Sequence, residues 1–221
     1  MKIIKNSWMV GDNMKIAVSC LNSRDIPTDL RKISVTDVDY IHVDVMDGKF
    51  VKNKTISFSE MKEIHRYTHK RLDVHLMVKN PIKFIHDYAT LNTEYITVHL
   101  ETKNVYKALE LIEEYGIKKG ISIKPNTPLD DLEPYLDCVD LILVMSVEPG
   151  KGGQEFIPST IERIKELRKK LKKHNSKAII SVDGGINDVV AKKLKDVDLL
   201  VSGSYVINGD DYQEQISKLR K

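Results

Sequence analysis

Eight short apolar segments, each followed by a segment with room for a helix, predict a closed (β/α)₈ barrel for this chain of 221 residues. The segments are nearly continuously apolar, as are strands of a parallel sheet that is covered on both faces. The stretch "VSCLNSRD" after the first of them lacks the glycine fingerprint that is usual in a doubly wound open sheet. We therefore predict a single-domain α/β protein, a TIM barrel over residues 14–221, preceded by an N-terminal extension at residues 1–13.

The predicted strands are short runs rich in β-branched and other apolar residues. In chain order they are KIAVSC from Lys15, YIHVDV from Tyr40, LDVHLMV from Leu72, YITVHL from Tyr95, KGISIK from Lys119, LILVMSV from Leu141, AIISVDG from Ala178 and LLVSGS from Leu199.

Four of the intervening segments carry apolar residues at intervals of three and four, which is the periodicity of an amphipathic helix. They are ISFSEMKEIHRYTHK, PIKFIHDYATL, NVYKALELIEEYG and IPSTIERIKELRKKLKKH. Asn80 precedes Pro81, and Thr127 precedes Pro128. Each pair predicts a capping side chain followed by a proline at the first helical position.

The composition predicts a globular protein without a membrane or nucleic-acid partner. Apolar residues make up 41% of the chain, charged residues 30%, and the formal net charge is only +3. The basic residues cluster mainly in the run 165–177, which is typical of a solvated helix face. No apolar run approaches the roughly 20 residues that span a bilayer, and we expect no secretory leader. Cys20 and Cys138 lack CxxC spacing, so we expect a reducing, cytoplasmic environment.

Pairs of polar residues stand at the ends of four predicted strands. They are His42 with Asp44, Asp73 with His75, Thr97 with His99, and Ser181 with Asp183. Residues two apart face the same side of a strand, and the carboxyl ends of barrel strands converge on one mouth. Two histidines and two aspartates from the second, third and seventh strands can therefore meet, and such a set suits Zn²⁺, Fe²⁺ or Mn²⁺. Burying several charges without a shared cation would be costly.

Glycines follow the last three strands, in "VEPGKGGQEF", "VDGGIN" and "VSGSYV". Clustered glycine amides form concave anion sites, and barrels often bind phosphate near the seventh and eighth strands. A metal on one side of the mouth and a phosphate cradle on the other suit a small sugar phosphate.

The segments "IHVDVMDGKFV", "DVHLMVKNP", "LVMSVEPGKGGQEFIP", "ISVDGGIN" and "VSGSYVI" resemble, in order and spacing, the signatures of ribulose-phosphate 3-epimerase. The resemblance covers residues 15–207 and implies a homo-oligomeric enzyme with one divalent metal ion, Zn²⁺, Fe²⁺, Mn²⁺ or Co²⁺. It implies the metal ligands His42, Asp44, His75 and Asp183, with Asp44 as proton acceptor and Asp183 as proton donor. It also implies substrate contacts from Ser19, His75, Gly150, Lys151, Gly152, Gly153, Asp183, Gly184, Gly185, Gly203 and Ser204, and pocket-lining Met46, Met77 and Met145.

The implied reaction interconverts D-ribulose 5-phosphate and D-xylulose 5-phosphate, which needs a base and an acid flanking the carbon next to the ketone. The chain departs from the family where Lys52 replaces a usual proline, where Lys151 replaces a usual aromatic residue, and where Ala17 and Val18 replace Ser-Pro. Lys151 either adds a cation near the phosphate or points to solvent. These departures leave the identity of the sugar open.

Three alternatives compete with this interpretation. An epimerase of a six-carbon ketose phosphate, such as D-allulose 6-phosphate, would use the same proton-transfer residues. Related barrel decarboxylases carry Asp-x-Lys-x-x-Asp at a strand end, and the absence of lysine from "HVDVMD" argues against that class. A catalytically silent barrel that binds sugar phosphate or nucleic acid would not need both Asp44 and Asp183.

Overall fold

Eight parallel strands close into a barrel in the order β1 to β8, as the sequence predicts. The structure is a computed structural model and describes residues 14–55 and 57–220. The strands are β1 (Lys15–Ser19), β2 (Tyr40–Met46), β3 (Arg71–Met77), β4 (Thr93–His99), β5 (Lys118–Ile123), β6 (Leu141–Met145), β7 (Ile179–Asp183) and β8 (Leu199–Ser202). Each overlaps the corresponding predicted run. The prediction of a (β/α)₈ barrel is confirmed.

Most strands are followed by helices that cover the outside of the barrel. The described α-helices are α1 (Ile26–Ser34), α2 (Phe58–Met61), α3 (Ile82–Ala89), α4 (Val105–Glu114), α5 (Thr160–Lys173), α6 (Asp188–Ala191), α7 (Ser204–Ile207) and α8 (Tyr212–Leu219). Two 3₁₀ helices, Lys62–Arg66 and Leu129–Tyr135, complete the covering layer.

Two helical predictions need correction. The amphipathic segment 56–70 forms only the single turn of α2 and a short 3₁₀ helix, in which Ile64 is the one buried residue among those described. Helix stability comes mainly from a packed apolar face, and this segment buries little of one. The predicted caps are also wrong, because Pro81 and Pro128 themselves occupy the N-cap positions of the helices that follow them, and neither makes a side-chain cap.

The main apolar core lies between the strands and the helix layer. It includes large, fully buried side chains from both layers, such as Ile16, Leu76 and Ile96 from the strands and Ile85 and Ile112 from α3 and α4. Burying apolar area is worth about 25 cal/mol per Å², so this outer layer supplies the larger share of the hydrophobic stabilisation. The barrel interior is therefore free to hold polar groups.

A smaller apolar cluster fills the barrel interior below the polar residues. Tyr40 and Tyr95 meet edge to face there, with ring centroids 5.7 Å apart. Above them the inward-facing residues become polar toward the carboxyl ends of the strands. The barrel is thus plugged at one end and open at the other, where the predicted site residues stand.

The predicted N-terminal extension, residues 1–13, lies outside the described residues. Within the described part of the chain, no helix combines the length and the hydrophobicity needed to cross a bilayer.

Candidate active site

Four side chains predicted to bind metal converge at the mouth of the barrel. His42 and Asp44 project from β2, His75 from β3 and Asp183 from β7. Each offers one ligand atom, and the four atoms lie within 4.8 Å of one another. His42 and His75 are essentially inaccessible to solvent. Two imidazole nitrogens and two carboxylate oxygens at this spacing can hold a divalent transition metal.

His42 is held by a carboxylate deeper in the barrel. Its Nδ1 lies 2.7 Å from Oδ2 of Asp73. The other ring nitrogen, Nε2, is buried, has no hydrogen-bond partner among the described residues and lies 3.4 Å from Oδ1 of Asp44. An Nδ1–H donated to Asp73 leaves the Nε2 lone pair facing the cluster, as in the carboxylate–histidine–metal arrangement of many metal sites. This orphaned buried nitrogen fits a metal ligand.

His75 differs from His42 in that its Nδ1, and not its Nε2, faces the cluster. Its Nδ1 lies 3.2 Å from Oδ1 of Asp44, and its Nε2 lies 2.9 Å from Nε2 of His99. Nδ1 of His99 lies in turn 3.0 Å from Oε2 of Glu101. Burial, opposed in part by the hydrogen bond to Glu101, lowers the pKa of His99 to about 4. Its ring is therefore neutral at pH 7.

The two aspartates differ in their electrostatics. Burial raises the pKa of Asp44, but His42 and His75, when they carry protons directed at its carboxylate, outweigh that effect and hold the pKa well below its ordinary value. The Ser19 hydroxyl also donates to Asp44, at 2.9 Å. Burial, reinforced by the charge of Asp44, raises the pKa of Asp183 to about 6. Asp44 is therefore ready to accept a proton, whereas Asp183 keeps its proton up to a higher pH than an ordinary aspartate does.

Glycine loops form the opposite wall of a cavity of about 600 Å³ at the mouth. The predicted phosphate residues that line it are Gly150, Lys151, Gly152, Gly153, Gly184, Gly185, Gly203 and Ser204, and Ser19, Asp44 and Asp183 line it too. Gly150 and Gly184 have φ values of +108° and +119°, which side chains disfavour. A Cβ on Gly184 would lie 2.4 Å from the Val147 side chain. These loops therefore need glycine to adopt their shape.

Asn22 is a cavity residue that the sequence analysis did not single out. It follows β1, and its side-chain amide donates to the Ser204 hydroxyl at 2.9 Å. A Cβ on Gly152 would lie 2.4 Å from the same amide nitrogen. Asn22 thus packs closely against the glycine loop. Its polar side chain after a strand end was the available signal in the sequence.

Met46, Met77 and Met145 lie at the ends of β2, β3 and β6 and line the cavity, each less than 5% exposed. Their side chains make this side of the mouth apolar and polarisable. Lys151 lines the cavity and is exposed, while its backbone carbonyl accepts a hydrogen bond from Gln154. Lys52 is also exposed and does not line the cavity.

Comparison with known proteins places the chain in a family. The model of the ribulose-phosphate 3 epimerase family matches residues 15–207. A ribulose-phosphate 3-epimerase of Helicobacter pylori is 36% identical over 210 residues, covering 94% of this chain and 97% of the relative. One of Synechocystis is 38% identical over 215 residues, covering 94% of each. A 3-hexulose-6-phosphate synthase structure from Salmonella typhimurium shares the fold, with a TM-score of 0.70 at 19% identity over 94% of this chain and 97% of that one. The chain belongs to the ribulose-phosphate 3-epimerase family.

Proposed function

We propose that this protein interconverts D-ribulose 5-phosphate and D-xylulose 5-phosphate by epimerisation at C3. The observation that carries this proposal is the pair Asp44 and Asp183, whose pKa values are shifted in opposite directions at one barrel mouth. Epimerisation needs an acceptor that removes the C3 proton from one face and a donor that returns a proton to the other. Family membership supports the assignment.

Asp44 is the proton acceptor in this scheme. Its carboxylate is kept ionised by the positive charge beside it, which the imidazoles supply when protonated and a cation supplies when bound. The Ser19 hydroxyl orients it. Asp183 is the proton donor, because its raised pKa lets it carry a proton toward neutral pH. In the reverse reaction the two exchange roles. They project from β2 and β7, which are separated in the barrel by β1 and β8, so the substrate carbon can lie between them.

Removal of the C3 proton gives an enediolate, whose negative oxygens are costly to bury in a dry cavity. The residues that would hold a divalent cation are His42, Asp44, His75 and Asp183. Such an ion, when bound, supplies a Lewis acid that stabilises negative charge on the substrate oxygens. The ligand set is compatible with Zn²⁺, Fe²⁺, Mn²⁺ or Co²⁺, all of which accept imidazole and carboxylate ligands. Met46 and Met77 shield this side from water.

The substrate class is suggested by the glycine loops that face the candidate metal site across the cavity. Loops of glycine amides after β6, β7 and β8 form the kind of concave surface that binds phosphate, and the cavity of about 600 Å³ accommodates a small sugar phosphate. Lys151 stands in the first of these loops and lines the cavity, and in this proposal its ammonium group contributes to binding the phosphate.

A coupled assay tests the function. Purified protein is supplied with D-ribulose 5-phosphate or D-allulose 6-phosphate, before and after chelation and after readdition of Zn²⁺, Mn²⁺ or Co²⁺. We expect turnover of the five-carbon substrate that chelation abolishes and metal restores. Faster turnover of the six-carbon substrate would change the substrate assignment. Turnover of neither substrate by the metal-loaded protein would refute the epimerase assignment.

A further inference from the structure

A row of three side chains leads from solvent-accessible Glu101 through His99 to the ligand His75. The gaps are 3.0 Å from Glu101 Oε2 to His99 Nδ1 and 2.9 Å from His99 Nε2 to His75 Nε2. The far nitrogen of His75, Nδ1, faces Asp44. We propose that Glu101 and His99 are positioning residues that fix the tautomer of His75, so that its Nδ1 lone pair is the one offered to a metal. This inference rests on the metal site proposed above.

Glu101 fixes the direction of the row because its other oxygen is already occupied by donors. The backbone amide of Lys124 donates to Oε1 at 2.9 Å, and the Thr127 hydroxyl donates to the same atom. A carboxylate accepts hydrogen bonds and has none to give. Oε2 must therefore accept a proton from Nδ1 of His99, which leaves Nε2 of His99 as a lone pair.

The lone pair on His99 then determines the state of His75. Two Nε2 atoms 2.9 Å apart can form a hydrogen bond only if one of them carries a proton. Since His99 Nε2 is the acceptor, His75 Nε2 is the donor. A neutral imidazole with a proton on Nε2 has its lone pair on Nδ1, the atom that lies 3.2 Å from Asp44.

The surroundings of His99 hold its ring in a fixed position. The ring is fully buried, and the Phe50 ring packs against it with centroids 4.6 Å apart. The ammonium group of Lys124 lies 4.3 Å from the centre of that same Phe50 ring. A buried side chain at the packing density of a protein interior has one preferred orientation. His99 therefore transmits the direction set by Glu101 to His75.

The two ligand histidines are thus oriented by different means. His42 donates directly to the carboxylate of Asp73, whereas His75 reaches Glu101 only through a second imidazole. His42 consequently offers Nε2, and His75 offers Nδ1. Outer partners of this kind typically contribute 10-fold to 100-fold to metal affinity.

Glu101→Gln is the decisive variant because it keeps the shape of the side chain. The Lys124 amide and the Thr127 hydroxyl hold the new amide oxygen at the Oε1 position, so the new NH₂ group faces Nδ1 of His99. Two donors would then meet unless His99 moves its proton to Nε2. That shift would reverse the direction of the hydrogen bond between His99 and His75. The proton of His75 would then lie on Nδ1, the atom needed by the metal.

The test combines nitrogen NMR with metal titration. In the Zn²⁺-loaded parent, long-range ¹H–¹⁵N spectra should place the proton of His99 on Nδ1 and that of His75 on Nε2. Glu101→Gln should move the His99 proton and lower the affinity for Zn²⁺, measured by chelator competition, by about 10-fold to 100-fold. Glu94→Gln is the matched control, because Glu94 is paired with Lys118 and Arg71 at the other end of β4. It should leave the spectrum and the affinity unchanged.

The outcomes test the positioning role of Glu101 and His99 independently of the epimerase activity. A proton on Nε2 of His99 in the parent would overturn it without any variant, so a poorly folded Glu101→Gln protein does not spoil the test. Zn²⁺ affinity within twofold of the parent in a folded Glu101→Gln protein would also overturn it. A parent that binds Zn²⁺ with the expected protonation but does not epimerise D-ribulose 5-phosphate would refute the function and leave the positioning role standing.

Discussion

Replacing either Asp44 or Asp183 by Asn should strongly reduce epimerisation. The carboxylate that remains should still remove the C3 proton from one of the two epimers. A positioned general acid or base contributes about 10²-fold to 10⁴-fold, which is about 2.7 to 5.4 kcal/mol at 1.36 kcal/mol per factor of ten. We expect at least that loss in kcat for both variants. Asp44→Asn should also weaken metal binding, because Asp44 lies 3.4 Å from His42 Nε2 and 3.2 Å from His75 Nδ1.

The assay for this prediction is deuterium incorporation at C3 of the substrate in D₂O, followed by NMR with saturating metal. The parent should exchange the C3 proton of both epimers. Each variant should exchange that of only one epimer, the one deprotonated by the carboxylate that remains, and the two variants should differ in which epimer they exchange. Asp29→Asn is a suitable control, because Asp29 is as buried as Asp44, both 9% exposed, but lies in α1 and binds the Tyr212 hydroxyl.

Two results would refute the reasoning. If either variant epimerised at the parental rate, the two-carboxylate mechanism would be wrong. If both variants exchanged the same epimer, Asp44 and Asp183 would not serve opposite faces of the substrate. Asp29→Asn should change the free energy of unfolding without changing the exchange pattern.

Two further predictions concern the glycine wall. Gly185→Ala should lower the free energy of unfolding in urea by at least about 2 kcal/mol, because φ is +66° and a new Cβ would lie 2.4 Å from the Phe156 amide nitrogen. Gly116→Ala is the control, because φ is +69° but the new Cβ would have no atom within 4 Å, so the free energy of unfolding should fall by only about 1 kcal/mol. Equal losses in the two variants would contradict a clash at Gly185. Asn22→Ala should raise KM about fivefold with kcat unchanged, the effect of one lost hydrogen bond to Ser204, and a fall in kcat alone would contradict this role.

The sequence was sufficient to predict that the four candidate ligands converge at one barrel mouth, but not what lies behind them. His42 and Asp44 are two apart in an apolar run, and strand geometry alone puts them on one face. The role of His99 depends on how β4 lies against β3. The register shifts between Leu72 and Asp73, and this irregularity aligns His75 with Thr97. An unshifted pairing would set His75 beside Ile96, and no pattern in the sequence marks such a bulge.

The helices were less predictable than the strands for a related reason. Apolar periodicity in 56–70 is compatible with a long helix, but the fold buries only Ile64 of the two short helices that form there. Periodicity reports which residues can be buried, whereas the packed layer decides how many are. The strands are specified more strongly, because each must be apolar on the side that faces the helices.

The barrel accommodates its active site by separating stability from chemistry. On the inner faces of the strands, the hydroxyls of Thr97, Ser122 and Ser181 are fully buried. Taking a hydroxyl out of bulk water costs free energy that a new hydrogen bond only partly returns. The opposite faces of the same strands carry Val98, Ile121 and other members of the outer core, which offset that cost. Because strand residues alternate between the two faces, polar residues can collect around the ligands without thinning the layer that holds the barrel together.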